Sequence, residues 1–500
     1  MSNHKMSFGL AAFCAAVVFV AGCIPENSLE WSEDGSVGLL RVEEALYLVD
    51  GETGELSEIA RENVQPWPDI SEDGSLIAYS QAVECSSLTQ GIKQLPPGQV
   101  KIVKYFAAQI RKNVLEAGGL TNDEFPFPDE NIMTSDEYRN WPIRYLCENA
   151  DTDLLKVLPD EAIKKGKEMA IGYFQVVIVP VKALQEKRTL TTSLFNMIGL
   201  KFSPNGKHLA YLMHTQEGQT SNSFEEDTLC IASLENDVKA MLVESGVAFG
   251  YDWRKDSQAI AYLSADLKNL LHDDDLILGT LSEKMVADAD GGLLAKPEDV
   301  HEHGSAGTHR CTGKTDELVG TVFYPWFKVE YGLDNRIFFS SLIFPLPMSK
   351  RDEPGCSLFC YDPVTGTVAD VLPLSVSIYT SQQILGISLF SLSPDGKHVL
   401  LPIKHNRFVV YELGTDSMEI PIPEEEGFGE EEIPKLAPSW KGSNEFSFLV
   451  SGKSKFLPEP KEGEDQDDRE QIIVLETDGK NWILSKNWPN EIKVDSQDNQ

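Results

Sequence analysis

The stretch that decides the fold runs from Phe390 to Leu401 and reads FSLSPDGKHVLL. Apolar residues approach and leave a Ser-Pro-Asp-Gly turn. Pro394 fixes φ at the second turn position, Asp395 can accept hydrogen bonds from neighbouring backbone N–H groups, and Gly396 can take the positive φ that a tight turn requires. This pattern predicts a β-hairpin.

The same pattern recurs along the chain, and seven units can be counted. The other six read WSEDGSVGLL from Trp31, ISEDGSLIAYS from Ile70, FSPNGKHLAYLM from Phe202, YDWRKDSQAIAYLS from Tyr251, GLDNRIFFS from Gly332 and SWKGSNEFSFLV from Ser439. Five units are regular and the last two of these six are degenerate. Asn335 tolerates a positive φ and should preserve its turn. The turn is in doubt in the Tyr251 unit, where Ser257 replaces the glycine, and in the last unit, which lacks the aspartate.

Each unit supplies about four short strands, because most turns are followed by another apolar strand, such as LCIASLEND from Leu229. Runs such as HLAYLM from His208 are apolar on both faces, so both faces of the sheets must be buried. Sheets packed around an axis satisfy this requirement. The sequence therefore predicts an all-β fold, a β-propeller of seven four-stranded blades over residues 31–486, with six or eight blades as alternatives.

The repeats also resemble a known family. An S-P-D-G-K turn followed by an apolar strand is similar to the repeats of TolB-type propellers, which are relatives of the WD-repeat class. The resemblance covers most of the chain from Trp31 to about Leu484. It implies the propeller fold and a role in a cell-envelope complex, although this fold hosts enzymes, scaffolds and ligand binders alike.

The N-terminus carries the features of a targeting segment. Lys5 precedes an uncharged apolar stretch from Phe8 to Val20, which has the length of a signal-peptide core and is short for a membrane span. The residues Val20-Ala21-Gly22-Cys23 resemble the bacterial lipobox. We therefore expect residues 1–22 to be a lipoprotein signal peptide, Cys23 to carry palmitate and other acyl chains, and residues 23–30 to tether an exported bacterial lipoprotein to a periplasmic or cell-surface membrane.

Two stretches interrupt the repeats. Residues 86–170 fall within blade two, before an outer strand at Gly172 to Val181, and the spacing of Phe106, Ile110 and Val114 predicts a helix there. This partly helical insertion is the first candidate docking surface. A polar, glycine-rich stretch at 281–316 predicts a loop insertion, and residues 487–500 predict a polar tail.

The charge of the chain limits its partners. The sequence has 43 basic and 79 acidic residues, a net charge of −36. Binding to nucleic acid requires positive charge against phosphates, so nucleic acid is not an expected partner. The acidic surface suits solubility, a cation or a basic partner.

A search for reactive groups assigns no catalytic residue and no cofactor. No G-x-S-x-G motif occurs in the sequence. The weak metal-ligand candidates His301, His303, His309 and Cys311 fit no C-x-x-C or H-E-x-x-H spacing. Carboxylates are so abundant that a glycosidase pair stays possible.

Two cysteines flank the larger insertion. Export permits disulfides, and a bridge between Cys85 and Cys147 would shorten that loop. Buried free thiols are the alternative.

The sequence thus indicates a membrane-anchored module that binds or scaffolds cell-envelope proteins without catalysis. One alternative is a propeller glycan hydrolase or lyase with carboxylates lining the central channel, which convergent acids at one channel mouth would favour. Another is a passive ligand or cation binder.

Overall fold

The computed structural model describes residues 28–42, 44–120, 125–126, 136–214, 227–235, 241–245, 247–264, 280–285, 309–310, 329–343, 355–362, 364–365, 367–372, 390–403, 407–415, 418–419, 439–451, 470–477 and 482–487. Most of these residues are in β-strands, and the strands form seven four-stranded sheets in a β-propeller arrangement. Strands that are consecutive within a sheet are antiparallel neighbours.

The first three sheets contain twelve strands: β1 (Ser28–Trp31), β2 (Val37–Val42), β3 (Ala45–Asp50), β4 (Leu56–Ala60); β5 (Asp69–Ile70), β6 (Leu76–Glu84), β7 (Gly172–Pro180), β8 (Arg188–Ser193); β9 (Met197–Phe202), β10 (His208–His214), β11 (Asp227–Ser233), β12 (Met241–Ser245).

The remaining four sheets contain sixteen strands: β13 (Val247–Trp253), β14 (Ala259–Ser264), β15 (Thr280–Met285), β16 (His309–Arg310); β17 (Val329–Tyr331), β18 (Ile337–Ile343), β19 (Gly355–Asp362), β20 (Thr367–Asp370); β21 (Ser391–Leu392), β22 (His398–Ile403), β23 (Arg407–Glu412), β24 (Met418–Glu419); β25 (Ser439–Trp440), β26 (Glu445–Ser451), β27 (Glu470–Thr477), β28 (Trp482–Asn487).

The turn between the first and second strand has a left-handed residue in every sheet. Its φ lies between 61° and 71° at Gly35, Gly74, Gly206, Ser257, Asn335, Gly396 and Gly442. Ser257 therefore keeps the turn that the sequence placed in doubt, whereas the last unit has its left-handed residue, Gly442, in a turn that is one residue shorter. Ser257 donates its N–H to Arg254 O at 2.7 Å and accepts from Asn205 N–H at 3.0 Å, which offsets the strain of a non-glycine residue.

The two degenerate units differ from the regular ones in length. In the last unit the paired residues on either side of the turn are Trp440 and Phe446, and in a regular unit they are Leu392 and Val399. The turn of the last unit is therefore one residue shorter. Four of the five regular turns are held by a serine, as in the Phe390 unit, where Ser393 Oγ donates to Asp395 at 2.7 Å and accepts from His398 N–H at 2.9 Å. The shorter turn has no place for this arrangement.

Indole groups join neighbouring sheets. Trp253 Nε1 donates to Lys201 O at 3.1 Å, and Trp440 Nε1 donates to Ser391 O at 2.8 Å. Trp31 Nε1 donates to Ser447 Oγ at 2.6 Å, which connects the first sheet to the last. Each bond keeps a buried polar group satisfied where two sheets meet.

The turns define one face of the ring, here called the turn face. Neighbouring turns contact each other: Glu33 N–H donates to Glu72 O at 3.0 Å. Because the strands alternate in direction, each first strand begins, and each second strand ends, on the opposite face. Ser28, at the start of β1, and Glu84, which pairs with Gly172, therefore lie on that opposite face.

Between β6 and β7 the described residues form five helices, which make up the helical insertion: α1 (Leu88–Gln94), α2 (Pro97–Glu116), α3 (Asp136–Glu148), α4 (Leu154–Val157) and α5 (Asp160–Glu168). Phe106, Ile110 and Val114 are on the buried face of α2, as their spacing predicts. Within the described part of the chain, no helix combines the length and the apolar character that a membrane crossing needs.

The helical insertion is attached to the opposite face of the second sheet. Trp141 of α3 is fully buried and its Nε1 donates to Gly172 O at 2.7 Å. Gln99 of α2 donates to Ser193 Oγ at 3.0 Å and accepts from Leu194 N–H at 2.6 Å. Ser193 ends β8 beside Phe174, so these bonds place α2 at this end of the sheet.

Two predicted boundaries need correction. Residues 28–30 belong to β1, so the tether would end at residue 27. The predicted loop insertion at 281–316 is wrong at its ends, because β15 and β16 take the third and fourth places in their sheet. The sequences of these two strands, TLSEKM and HR, are polar and give no apolar strand pattern. Outer strands need less apolar surface than inner ones. Residues 286–308 and 311–316 lie outside the described residues.

Candidate functional site at the channel mouth

One position recurs beside the axis of the ring. The residue that precedes the last residue of each first strand is charged in five sheets and serine in two: Glu30, Asp69, Lys201, Asp252, Glu330, Ser391 and Ser439. Side chains alternate along a strand, so this position faces the channel when its neighbour packs between the sheets. Asp69, Lys201, Asp252 and Glu330 line a cavity of about 210 Å³.

The cavity opens at the turn face, where the second residue of six of the seven described turns forms its rim. Glu33, Glu72 and Lys255 make a charged part of the rim. Pro204, Leu333 and Pro394 make an apolar part. Leu333 is 52% exposed, which is unusual for a large apolar side chain.

Three carboxylates of the channel bind the backbone of the following sheet. Asp69 accepts from Phe202 N–H at 2.6 Å, Asp252 accepts from Tyr331 N–H at 2.7 Å, and Glu330 accepts from Leu392 N–H at 2.7 Å. In each case the N–H belongs to the last residue of the first strand of another sheet. These charge-assisted bonds fasten one sheet to another beside the axis.

A lysine balances part of this negative charge. Lys201 Nζ lies 2.7 Å from Asp252 Oδ1. Burial would lower the pKa of Lys201, but the carboxylates of Asp252 and Glu330 more than offset it, so the pKa is raised. On the rim, Lys255 Nζ lies 2.6 Å from Glu72 Oε1. Burial would lower the pKa of Lys255 as well, but the Glu72 carboxylate more than offsets it, so this pKa is also raised. Both lysines therefore stay charged at neutral pH.

Asp69 has a strongly perturbed carboxyl group. Burial raises its pKa to about 7, against the lowering effects of the Phe202 N–H and of Lys201. A carboxyl group that titrates near neutral pH can exchange a proton under physiological conditions. The protonation of Asp69 can therefore change with pH near neutrality.

The size of the cavity restricts its ligands. Pockets that enclose drug-sized molecules have volumes of roughly 300–1,000 Å³. The cavity of about 210 Å³ is smaller. It is large enough for a small group or for one side chain of a partner. A larger contact surface would have to be provided by the rim.

The residues singled out by sequence are elsewhere. Cys23, His301, His303 and Cys311 lie outside the described residues. His309 lies in β16, where its backbone pairs with that of Glu283 in β15. Among the residues that the structure describes, no three or more His, Cys, Asp or Glu side chains are grouped to hold a metal ion.

The proposed bridge between Cys85 and Cys147 is not formed, because both are buried free thiols. A Cβ built on Gly91 would lie 2.9 Å from Cys85 Sγ and 2.4 Å from Trp141, so the thiol and the indole both pack closely against that glycine. Cys147 Sγ packs in the same way against Gly166. Each thiol fills a gap in the apolar core of the insertion.

Sequence reasoning missed the channel residues. Pairing carboxylates by sequence is uninformative when 79 acidic residues are present. Alignment of the seven units would have found them, since Asp69, Lys201, Asp252 and Glu330 each come directly before the residue that ends a first strand.

No family model and no curated protein matches the chain. Solved structures that resemble it include TolB from Acinetobacter baumannii (13% identity, TM-score 0.34, 61% of this chain and 58% of that chain), an oligogalacturonate lyase from Vibrio parahaemolyticus (11%, 0.38, 74% and 72%) and the β-propeller domain of the Trilobed protease from Pyrococcus furiosus (12%, 0.35, 65% and 90%). The chain thus spans 58% of the length of that TolB. Similarity at this level carries no conclusion about activity, and the propeller arrangement rests on the sheets and contacts described above.

Proposed function

We propose that this protein is a lipid-anchored propeller of seven blades that binds protein partners in the cell envelope and catalyses no reaction. The observation that carries this proposal is the engagement of Asp69, Asp252 and Glu330 with backbone N–H groups of the following sheets. A catalytic carboxylate must be able to approach a substrate. These carboxylates hold the ring together instead.

The proposed anchor orients the ring. Cys23, behind a signal peptide of residues 1–22, would carry the lipid, and the chain enters the ring at Ser28 on the face opposite the turns. An anchor at that face would hold the protein on the periplasmic or cell-surface side of a membrane, with the turn face directed away from that membrane. The turn face is then the surface that a protein partner can reach.

The composition of the rim suits a protein partner. The apolar part contains the exposed Leu333 beside Pro394, and the charged part contains Glu33 and Glu72. An apolar centre bordered by polar residues is typical of protein interfaces. We expect a partner with an apolar side chain and a neighbouring basic residue.

The anchor is tested by labelling. Labelled palmitate should enter the wild-type protein, and Cys23→Ala should abolish both the label and fractionation with membranes. Equal labelling of the two proteins would disprove the anchor.

The partner surface is tested by crosslinking in whole cells followed by mass spectrometry. Leu333→Asp should reduce the recovery of partners at least tenfold. The matched control is Val364→Asp, since Val364 is 91% exposed in the turn between β19 and β20, at the outer edge of the turn face. If both variants recover the same partners as wild type, the rim of the channel is not the docking surface.

A second candidate is a glycan hydrolase or lyase. Asp69 favours it, because its pKa of about 7 suits a general acid or base and it borders the cavity. Activity of the wild-type protein on oligosaccharides that is lost in Asp69→Asn would replace the binding proposal.

A further inference from the structure

The helical insertion presents a row of lysines although the whole chain has a net charge of −36. Lys101, Lys104, Tyr105, Ala108 and Lys112 of α2 are all exposed, and Tyr105 is 58% exposed. Residues three, four and seven apart lie along one side of a helix. These five residues are called the basic strip below.

The charges of the basic strip are largely available. Among the described residues, the one carboxylate paired with the strip is that of Glu116, whose Oε1 lies 3.9 Å from Lys112 Nζ. Both groups of this pair are about two-thirds exposed, so the pair contributes little. Lys104 Nζ lies 6.0 Å from the centre of the Tyr145 ring, at the outer limit of a cation–π contact.

The basic strip belongs to the side of the ring where the proposed anchor enters. Gln99 at the start of α2 is bonded to Ser193 and Leu194 at the opposite face of the second sheet. Ser28 of the neighbouring first sheet lies on the same face. Four residues separate Cys23 from Ser28, and the five residue steps between them span at most about 18 Å when extended.

We propose that the basic strip lies against the anionic phospholipid headgroups of the membrane that holds the lipid on Cys23. This inference rests on the proposed anchor. Lysines are attracted to an anionic membrane within about one Debye length, roughly 8–10 Å. The amphipathic ring of Tyr105 suits the headgroup region.

The mode of contact follows from the burial of α2. Its apolar side, with Phe106, Ile110 and Val114, is occupied by the core of the insertion. The helix therefore rests on the membrane surface and does not insert into it. The contact would hold the ring in one orientation, with the turn face outward.

The test is a comparison of lysine reactivity in two membranes. The full-length protein is isolated from producing cells in detergent and reconstituted into vesicles of phosphatidylcholine alone or of phosphatidylcholine with phosphatidylglycerol. An amine-acetylating reagent is added, and mass spectrometry reads each lysine. Acetylation of Lys101, Lys104 and Lys112 should be several-fold slower in the anionic vesicles, and high salt should remove the difference. Lys207 and Lys397, in turns of the turn face, should react equally in both.

A matched pair of variants identifies the cause. Each lysine near an anionic surface changes binding by about fivefold, so Lys101→Gln/Lys104→Gln should weaken the contact about 25-fold and abolish the protection of Lys112. Lys207→Gln/Lys397→Gln removes the same charge from the turn face and should leave that protection intact.

Labelled palmitate is followed in the same samples, which separates the two proposals. Equal acetylation of the strip in both membranes, with label present, would overturn the contact and leave the anchor standing. Protection in anionic vesicles without label would support the contact and disprove the anchor. Protection that occurs in whole cells, together with a crosslinked acidic protein, but not in vesicles, would assign the strip to that protein and overturn the lipid contact.

Discussion

The two faces of the ring use charged residues differently. Near the turn face, three carboxylates, those of Asp69, Asp252 and Glu330, each accept a hydrogen bond from a backbone N–H of another sheet. These charged groups therefore connect sheets to one another. On the opposite face, Lys101 and Lys104 are exposed on a helix whose other side is buried. The contrast teaches that acids beside an axis can be structural, and it is the reason why the exposed lysines, and not these acids, are proposed as a binding surface.

The largest expected effect tests whether the helical insertion folds separately from the ring. Trp141→Ala removes a fully buried indole and its bond to Gly172 O, which should destabilise the insertion by about 3–5 kcal/mol. Hydrogen exchange should accelerate in residues 88–168 and stay unchanged in β22 and β23. Tyr105→Ala, at an exposed position, is the control. Acceleration throughout the ring would show that the two regions unfold together.

The next effect concerns the channel. Asp252→Ala leaves Lys201 without its ion-pair partner and Tyr331 N–H without its acceptor, and should cost about 2–3 kcal/mol of unfolding free energy, since the pair is only partly buried. Asp252→Asn should cost less, because an amide oxygen can still accept from that N–H. Urea unfolding measures both. Equal losses would mean that the backbone bond contributes nothing.

Asp69 should make stability depend on pH. Its pKa is raised from 3.8 to about 7 by burial, so the folded protein keeps a proton that the unfolded chain releases. Stability should therefore fall as pH rises from about 4 to 7, with no difference below pH 4. We expect a loss of roughly 2 kcal/mol, less than the full linkage value because the carboxyl group borders solvent.

Asp69→Asn should flatten this profile in urea unfolding between pH 4 and 8, because the amide does not titrate. Parallel profiles for wild type and variant would refute the assignment.

The smallest effect compares the same substitution in the two regions. Gly74→Ala places a side chain at φ 65°, with Cβ 2.8 Å from Val37 Cγ2, and should cost about 1–2 kcal/mol. Gly98→Ala in the first turn of α2 meets nothing within 4 Å and should stabilise by up to about 1 kcal/mol. Thermal unfolding compares them. A shift of the same sign in both would show that the turns impose no special backbone.

Much of the fold follows from local chemistry. The turn at Pro394 to Gly396 specifies a hairpin through its own φ angles, and the spacing of Phe106, Ile110 and Val114 specifies the buried side of α2. Such signals need no knowledge of distant residues.

Other features depend on residues far away in sequence. Ser257 takes a left-handed φ because Asn205 of the preceding sheet binds its hydroxyl. Cys85 is a buried free thiol that packs against Gly91 of the helical insertion. The roles of Asp69 and Glu330 are visible only once the next sheet supplies a backbone N–H. Tertiary contacts of this kind leave no local pattern to read.

Closure of the ring is the central claim, since it fixes which residues face the axis and which side carries the helical insertion. Trp31 Nε1 donates to Ser447 Oγ at 2.6 Å, across a sequence separation of 416 residues. A double-mutant cycle with Trp31→Phe and Ser447→Ala measures this contact by urea unfolding. A closed ring predicts a coupling energy of about 1 kcal/mol between the two positions. Additive losses, with no coupling, would contradict contact between the first and last sheets and with it the ring.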